Sequence, residues 1–157
     1  MTDTFDDLRD LYQEVILDHG RRPRHARRLE SFDATAKGDN PMCGDRVQVW
    51  VKFSADGSIA DTGFEARGCA ISVASADLMA ETVRGRTRQD TRALFEAFRE
   101  MARTGTCPTC APELEEPMER LKPLSGVHEY PSRVKCATLA WHALKAALDG
   151  AQEASSE

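Results

Sequence analysis

Cysteines are the residues of this chain best suited to chemistry, and there are five of them. Cys43 lies in a short turn, Cys69 follows a predicted strand, and Cys136 lies in the opening turns of the last predicted helix. Asp45 comes two residues after Cys43, and in an extended segment this spacing points both side chains the same way. Three thiolates and one carboxylate suit tetrahedral zinc, and the sulfurs also suit an iron–sulfur cluster. The separations between the cysteines match no local metal motif, so unrelated cysteines buried in the core are the alternative.

Two of these cysteines have neighbours that favour the reactive thiolate. Cys69 precedes a predicted helix, and Cys136 directly follows Lys135 and is close to Arg133. Helix N-termini and adjacent cations both stabilise a thiolate. Both positions therefore favour a nucleophile or a metal ligand over an inert thiol.

The remaining cysteines, Cys107 and Cys110, form a C-x-x-C pair in a proline-rich segment. A redox dithiol is one interpretation, but such pairs normally follow the strand of a βαβ unit, and no such unit is predicted here. Half of a zinc site is another, but no second C-x-x-C or H-x-x-x-H pattern completes it. Two thiols without a fixed role are the third interpretation, with about the same weight as the other two together.

Composition and charge are typical of a globular cytoplasmic protein. The 157 residues are 41% hydrophobic and 30% charged, which is enough for one domain with a real core. The net charge of −5 offers no strong field to attract nucleic acid. Neither a secretory signal nor a run of about 18 apolar residues occurs, so we expect no membrane partner. In the reducing cytoplasm, structural disulfides are not expected.

The elements that must position the cysteines follow from hydrophobic periodicity. The pattern predicts helices over residues 5–19, 71–84, 90–104 and 132–149, and strands over 46–54 and 58–67. Gly20 is predicted to end the first helix, and Ser132 to cap the last. Trp50 lies on the outer face of its strand, which predicts that a further segment packs there.

Helices and strands in this order predict an α+β fold, with helices on one face of a small antiparallel sheet. Four prolines predict that residues 105–126 are a loop with at most short helical turns. The basic segment 20–28 is predicted to be a solvated loop, with docking of an acidic partner as the alternative. We expect one domain over residues 1–150 and a disordered tail over 151–157.

Four sequence blocks, taken in order, resemble the SufU branch of the IscU/NifU N-terminal family of iron–sulfur cluster assembly proteins. The blocks are LYQEVILDH from Leu11, NPMCGD from Asn40, GCAIS from Gly68 and YPSRVKCA from Tyr130. They extend over about residues 8–148, and four ordered blocks are far more specific than any single one. The resemblance implies an α+β, IscU-like fold with an insertion within about residues 86–125.

The resemblance also assigns the metal-binding positions of the family to Cys43, Asp45, Cys69 and Cys136. Classical IscU members carry a histidine at the position of Lys135, whereas SufU-type members lack it. The family often has an aromatic residue at the position of Gly20, so the partner-facing loop is expected to differ there. Cys107 and Cys110 lie inside the insertion, and the resemblance transfers no role to them.

SufU-type proteins are implied to take persulfide sulfur from a SufS-type cysteine desulfurase and to pass it towards downstream cluster assembly proteins. The resemblance thus predicts a zinc-dependent sulfurtransferase, with Zn²⁺ held by Asp45, Cys69 and Cys136. We expect Cys43 to be the sulfur acceptor, because a turn can move further than a helix end. Cys136 is the second candidate for that catalytic role.

Arg133 and Lys135 are expected to support the site by offsetting its negative charge and guiding the persulfide. A rival hypothesis is a scaffold that binds an iron–sulfur cluster through the same ligands. A purely structural zinc domain is the third hypothesis. Asp45 argues against it, because structural zinc sites normally use only cysteine and histidine.

Overall fold

The computed structural model describes residues 4–41, 44–107, 111–150 and 153–155 of the chain. Within these residues, five α-helices, four strands and two 3-10 helices follow one another. In chain order they are α1 (Thr4–Arg21), β1 (Ala34–Asn40), β2 (Asp45–Phe53), β3 (Ile59–Arg67), α2 (Ala70–Val83), α3 (Arg88–Thr104), a 3-10 helix (Pro112–Leu114), α4 (Glu115–Leu121), a second 3-10 helix (Lys122–Glu129), α5 (Pro131–Leu148) and β4 (Glu153–Ser155).

The strands form one sheet in the order β3-β2-β1-β4, and β2 is antiparallel to both of its neighbours. Val47, Val49 and Val51 alternate along β2 and are buried on the same face. Helix α5 contacts β1 and β2 on that face, α2 contacts β3, and the two helices contact each other. The predicted α+β fold, a small antiparallel sheet with helices on one face, is confirmed.

The sequence pattern does not predict the two strands β1 and β4. Strand β1 reads ATAKGDN, and strands usually avoid glycine, aspartate and asparagine. It forms because every residue pairs with β2, from Ala34 opposite Val51 to Asn40 opposite Asp45. Strand β4 pairs in parallel with β1, so residues 153–155 of the predicted disordered tail are ordered as a strand.

The second face of the sheet is covered by the segment that follows α1. Trp50 lies on this face and is only 2% exposed, with the Arg28 guanidinium 5.8 Å from its ring centroid. The backbone carbonyl of His25 accepts a hydrogen bond from the Phe64 N–H at 3.2 Å. The prediction that a further segment packs on Trp50 is confirmed.

Asp77, a fully buried residue of α2, holds this covering segment in place. Its Oδ1 accepts hydrogen bonds from the backbone N–H groups of Arg24 and His25, both at 2.8 Å. Its Oδ2 lies 2.5 Å from Nδ1 of His19 at the end of α1. A buried carboxylate is tolerated only when it is hydrogen-bonded, so these three partners make the burial of Asp77 possible.

The four predicted helices are all present, with bounds that differ by at most two residues. Helix α1 includes Gly20 instead of ending before it, and a Cβ at Gly20 would lie 3.0 Å from the Ala70 carbonyl oxygen. Gly20 therefore permits close packing of α1 on α2. Helix α5 begins at Pro131, so Ser132 lies inside its first turn. Among the described residues, no helix is long and apolar enough to cross a membrane.

The segment predicted to be a proline-broken loop is more helical than expected, since it contains the first 3-10 helix, α4 and part of the second 3-10 helix. Pro112 begins the first 3-10 helix, Pro117 lies in the first turn of α4, and Pro123 is the second residue of the next 3-10 helix. A first-turn residue has no helical acceptor for its N–H, so proline costs little there. The prolines thus begin these helices and do not interrupt them.

Helix α5, which carries Cys136, is fixed by aromatic packing against α3. The Trp141 ring stacks on Phe98 with centroids 4.8 Å apart and on Phe95 at 6.3 Å. Trp141 and Phe98 are fully buried. Such pairs contribute about 0.5–1.5 kcal/mol beyond the burial of their area, so the position of α5 is well determined.

Candidate metal centre

Three elements bring Asp45, Cys69 and Cys136 together. Asp45 is the first residue of β2, Cys69 immediately precedes α2, and Cys136 lies in the second turn of α5. The pairing of Arg46 with Arg67 places the end of β3 beside the start of β2. Only two residues separate β3 from α2. The sheet and the packing of α5 thus join residues that are far apart in sequence.

The donor atoms of these three residues all lie within 4.8 Å of one another. Cys69 Sγ lies 3.9 Å from Oδ2 of Asp45, and the Cys69 backbone N–H donates to Oδ1 of the same carboxylate at 3.3 Å. Asp45 is 2% exposed and Cys136 fully buried, whereas Cys69 is half-buried. The cluster therefore has two enclosed donors and one accessible donor.

Gly68 leaves the space that the carboxylate occupies. A Cβ at Gly68 would lie 2.3 Å from Oδ1, 2.7 Å from Cγ and 3.1 Å from Cβ of Asp45. Real Cβ atoms essentially never approach other atoms within 3.0 Å. Only glycine fits between Asp45 and Cys69, and no local sequence pattern identifies this requirement, because it depends on where the sheet places Asp45.

Arg133 is the cation of the centre, one turn before Cys136 on α5. Its pKa is raised above the ordinary value, first by a hydrogen bond to the Cys136 sulfur and then by attraction to Cys69 and Cys136. The structure thus places this predicted supporting residue beside both described sulfurs.

The donor set fits zinc. In a tetrahedral site with Zn–S of about 2.3 Å and Zn–O of about 2.1 Å, neighbouring donors lie roughly 3.5–3.8 Å apart. The 3.9 Å separation between Cys69 Sγ and Asp45 Oδ2 is close to this value. Three described donors leave one tetrahedral position for a further ligand.

Three of the four predicted metal ligands are therefore brought together, while Cys43 lies outside the described residues. Of the described residues on the two sides of positions 42–43, Gly44 donates its N–H to the Asn40 carbonyl at 2.9 Å.

The other predicted residues lie elsewhere. Lys135 lines a separate cleft. It follows Arg133 by two residues on α5, and residues two apart on a helix point in roughly opposite directions from the axis. Cys107 is disulfide-bonded, in contrast to the expectation of free thiols, because disulfide formation depends on the local approach of two sulfurs as well as on the compartment. Cys110 lies outside the described residues.

Comparison with known proteins gives matches over nearly the whole chain. Residues 11–137 match the family described as the NifU-like N terminal domain. The iron-sulfur cluster assembly scaffold protein IscU of Streptococcus pyogenes serotype M1 is 38% identical over 141 residues, covering 90% of this chain and 84% of that protein. The zinc-dependent sulfurtransferase SufU of Bacillus subtilis (strain 168) is 33% identical over 140 residues, covering 88% of this chain and 89% of that protein.

The fold has the same relatives. A crystal structure of a nitrogen-fixing NifU-like protein (N-terminal) from Brucella abortus superposes with a TM-score of 0.77 at 26% sequence identity. The alignment covers 91% of this chain and 95% of that one. The two relatives in sequence carry different functional names, so the choice between those functions depends on the chemistry of the centre.

Proposed function

Because this chain belongs to the family of NifU-like N-terminal domains, we propose that it is a zinc-dependent sulfurtransferase for iron–sulfur cluster assembly, accepting persulfide sulfur from a SufS-type cysteine desulfurase. The observation that carries the proposal is the convergence of Asp45, Cys69 and Cys136 within 4.8 Å. The Bacillus subtilis relative, whose name is zinc-dependent sulfurtransferase, supports it.

Asp45, Cys69 and Cys136 would hold the zinc, with Cys43 as the fourth ligand at rest. When bound, zinc keeps the cysteines that coordinate it deprotonated at neutral pH. Three thiolates and a carboxylate carry more negative charge than the ion neutralises, so the ligand shell favours exchange of one thiolate. Because Asp45 and Cys136 are buried, we assign them as the ligands that stay on the metal during this exchange.

Cys43 is the proposed acceptor. Its thiolate attacks the outer sulfur of the desulfurase persulfide, forming a new S–S bond on Cys43. The bond between that sulfur and the desulfurase cysteine breaks, and its electron pair leaves on the desulfurase thiolate. The outer sulfur keeps its proton as it moves to Cys43, so atoms and charge balance, as in thiol–disulfide exchange.

Two further features of the centre support this assignment. Cys136 has no exposed surface, so an incoming persulfide would have to displace other groups to reach it. Arg133 interacts with the sulfurs of Cys69 and Cys136 and is itself exposed, so it can offset the negative charge of the thiolates when a persulfide approaches the centre. Cys136 is therefore the second candidate acceptor and Cys43 the first.

The test is direct detection of the transferred sulfur. The zinc-loaded chain is incubated with a desulfurase and free cysteine, and intact-mass spectrometry measures the addition of one sulfur atom. Cys43→Ala should abolish the addition while zinc binding only weakens. The double variant Cys107→Ala/Cys110→Ala, which removes both cysteines outside the proposed ligand set, is the matched control and should accept sulfur normally. Full acceptance by Cys43→Ala would remove the role from Cys43, and its loss on further substitution of Cys136 would transfer the role to Cys136.

A cluster scaffold is the second candidate function, favoured by the paired sulfurs of Cys69 and Cys136 and by the scaffold name of the Streptococcus pyogenes relative. Lys135 counts against it, because a lysine cannot supply the additional imidazole ligand of a histidine at that position. Anaerobic incubation with ferrous iron and sulfide separates the two functions. A stable visible chromophore that the chain hands to an apo-ferredoxin would favour the scaffold over the transferase.

A further inference from the structure

A cleft that belongs to no part of the metal centre is lined by five basic side chains. It has a volume of about 330 Å³ and lies between α3, the end of the second 3-10 helix and the start of α5. Its basic residues, called the cationic cleft below, are Arg99, Arg103, His128, Lys135 and His142.

Two helices supply the walls. Arg99 and Arg103 stand one turn apart on α3, so their side chains lie on the same face of that helix. The α5 wall runs from Pro131 through Lys135 to His142. Both arginines are exposed at the rim, whereas Lys135 and His142 are half-buried between them. A ligand in the cleft would thus meet fixed cations from both sides.

The positive charge of this cleft is poorly compensated. None of its lining residues is a carboxylate. Arg99 has Glu96 at 3.9 Å, the outer limit for an ion pair, and neither Arg103 nor Lys135 forms an ion pair with any residue that the structure describes. Placing three permanent cations together in a protein of net charge −5 costs electrostatic energy that a bound anion would recover.

His142 lies half-buried in the cleft, close to several of its charges. Its pKa is lowered, first by burial and then by the charges of Arg99 and Lys145, and Glu96 opposes this only in part. The ring also meets the Phe95 ring edge-on, which adds no counter-charge. The cations near His142 therefore disfavour a further positive charge on its ring.

We propose that the cationic cleft binds the phosphate group of a small anionic ligand. Arginine presents a planar fork of donors that matches phosphate oxygens, and lysine adds a compact charge. One phosphate concentrates two negative charges within reach of Arg99, Arg103 and Lys135 together, which single carboxylates cannot do. The volume is at the lower end of small-molecule sites, and the positive end of the α5 dipole lies at Pro131, on the same wall.

The test is calorimetric titration of the full zinc-loaded chain at fixed ionic strength, with orthophosphate, pyrophosphate and ATP as probes. We expect saturable binding of at least one probe that the double substitution Arg99→Gln/Arg103→Gln weakens at least tenfold. Arg92→Gln/Arg120→Gln removes the same charge from exposed ion pairs elsewhere and should leave binding within twofold. In parallel, NMR titration should show the pKa of His142 rising when the probe saturates.

Each outcome decides the proposal. If ATP binds far more tightly than pyrophosphate, the proposal is supported and the ligand is a nucleotide. If the two bind with comparable affinity, the proposal is supported and the ligand is a free phosphate anion. Equal losses in the two double variants overturn it, because only net charge would matter. Binding that persists in Arg99→Gln/Arg103→Gln but disappears when zinc is removed also overturns it and assigns the anion to the metal. Tighter binding of hexaglutamate than of every phosphate probe overturns it in favour of an acidic protein segment.

Discussion

Substitution of Gly68 by alanine tests the geometry of the metal centre without touching a ligand. The new Cβ would lie 2.3 Å from Oδ1 of Asp45, and the nearest acceptable distance is 3.0 Å. The carboxylate oxygen must therefore move by at least about 0.7 Å, the difference of these distances. Asp45 is 2% exposed, and its Cγ and Cβ are crowded too, so a simple rotation does not relieve the contact.

The expected effect on zinc follows from the tolerance of coordination. Metal–ligand distances hold within about 0.2 Å, so a displacement of this size takes Asp45 out of the coordination shell. We expect Gly68→Ala to weaken zinc binding roughly 10- to 100-fold, the range seen when groups that orient a ligand are removed. This corresponds to about 1.4–2.8 kcal/mol less stabilisation by zinc.

Competition with a chromophoric chelator under reductant measures this affinity. Gly126→Ala is the matched control, because a Cβ there meets no atom within 4 Å. Denaturation of the metal-free proteins checks that both variants fold. Wild-type zinc affinity in a folded Gly68→Ala protein would refute the assignment of Asp45 as a ligand in this geometry.

Three further predictions concern buried and charged side chains. Asp77→Ala leaves the N–H groups of Arg24 and His25 without their acceptor, so urea unfolding should show a loss of about 2–4 kcal/mol in the free energy of unfolding. Asp77→Asn keeps an acceptor oxygen and should lose less than about 1.5 kcal/mol, and equal losses in the two variants would contradict this. Arg133→Gln removes the cation beside both sulfurs, so alkylation of the metal-free thiols at neutral pH should be roughly three- to tenfold slower. An unchanged alkylation rate would show that Arg133 does not favour the thiolates. Because the pKa of His142 is lowered on folding, the unfolded chain binds a proton at a higher pH than the folded chain does. The free energy of unfolding should therefore fall as the pH drops below about 6.5. In denaturant titrations at several pH values, His142→Gln should flatten this pH dependence, and an unchanged dependence would count against a lowered pKa.

Much of the architecture can be predicted from the sequence because its elements have strong periodicity. Helix α3 and strand β2 bury one face each, and their apolar residues repeat at helical and strand spacing. Strand β1 cannot be predicted this way, since its polar residues are held by pairing with β2 and not by their own propensity. The helices near Pro117 are missed for a related reason, because proline stops a helix only beyond its first turn.

The centre shows the same division between local and non-local information. Asp45, Cys69 and Cys136 carry the right chemistry in the sequence, but only the sheet and the packing of α5 show that they converge. Arg133 and Lys135 look equivalent as neighbours of Cys136, yet helical geometry sends one to the sulfurs and the other to the cationic cleft. The space at Gly68 depends on the position of Asp45, which no local pattern specifies.

The most direct test of the proposed function is the turnover of a SufS-type cysteine desulfurase on free cysteine, under reductant, with the zinc-loaded chain compared with the metal-stripped chain. If the Asp45–Cys69–Cys136 centre holds zinc and the chain accepts persulfide sulfur, the zinc-loaded form should stimulate turnover strongly and the stripped form should not. Absence of stimulation by either form, or inhibition by the zinc-loaded form, would contradict zinc-dependent sulfur transfer and leave cluster assembly on the same ligands as the better account.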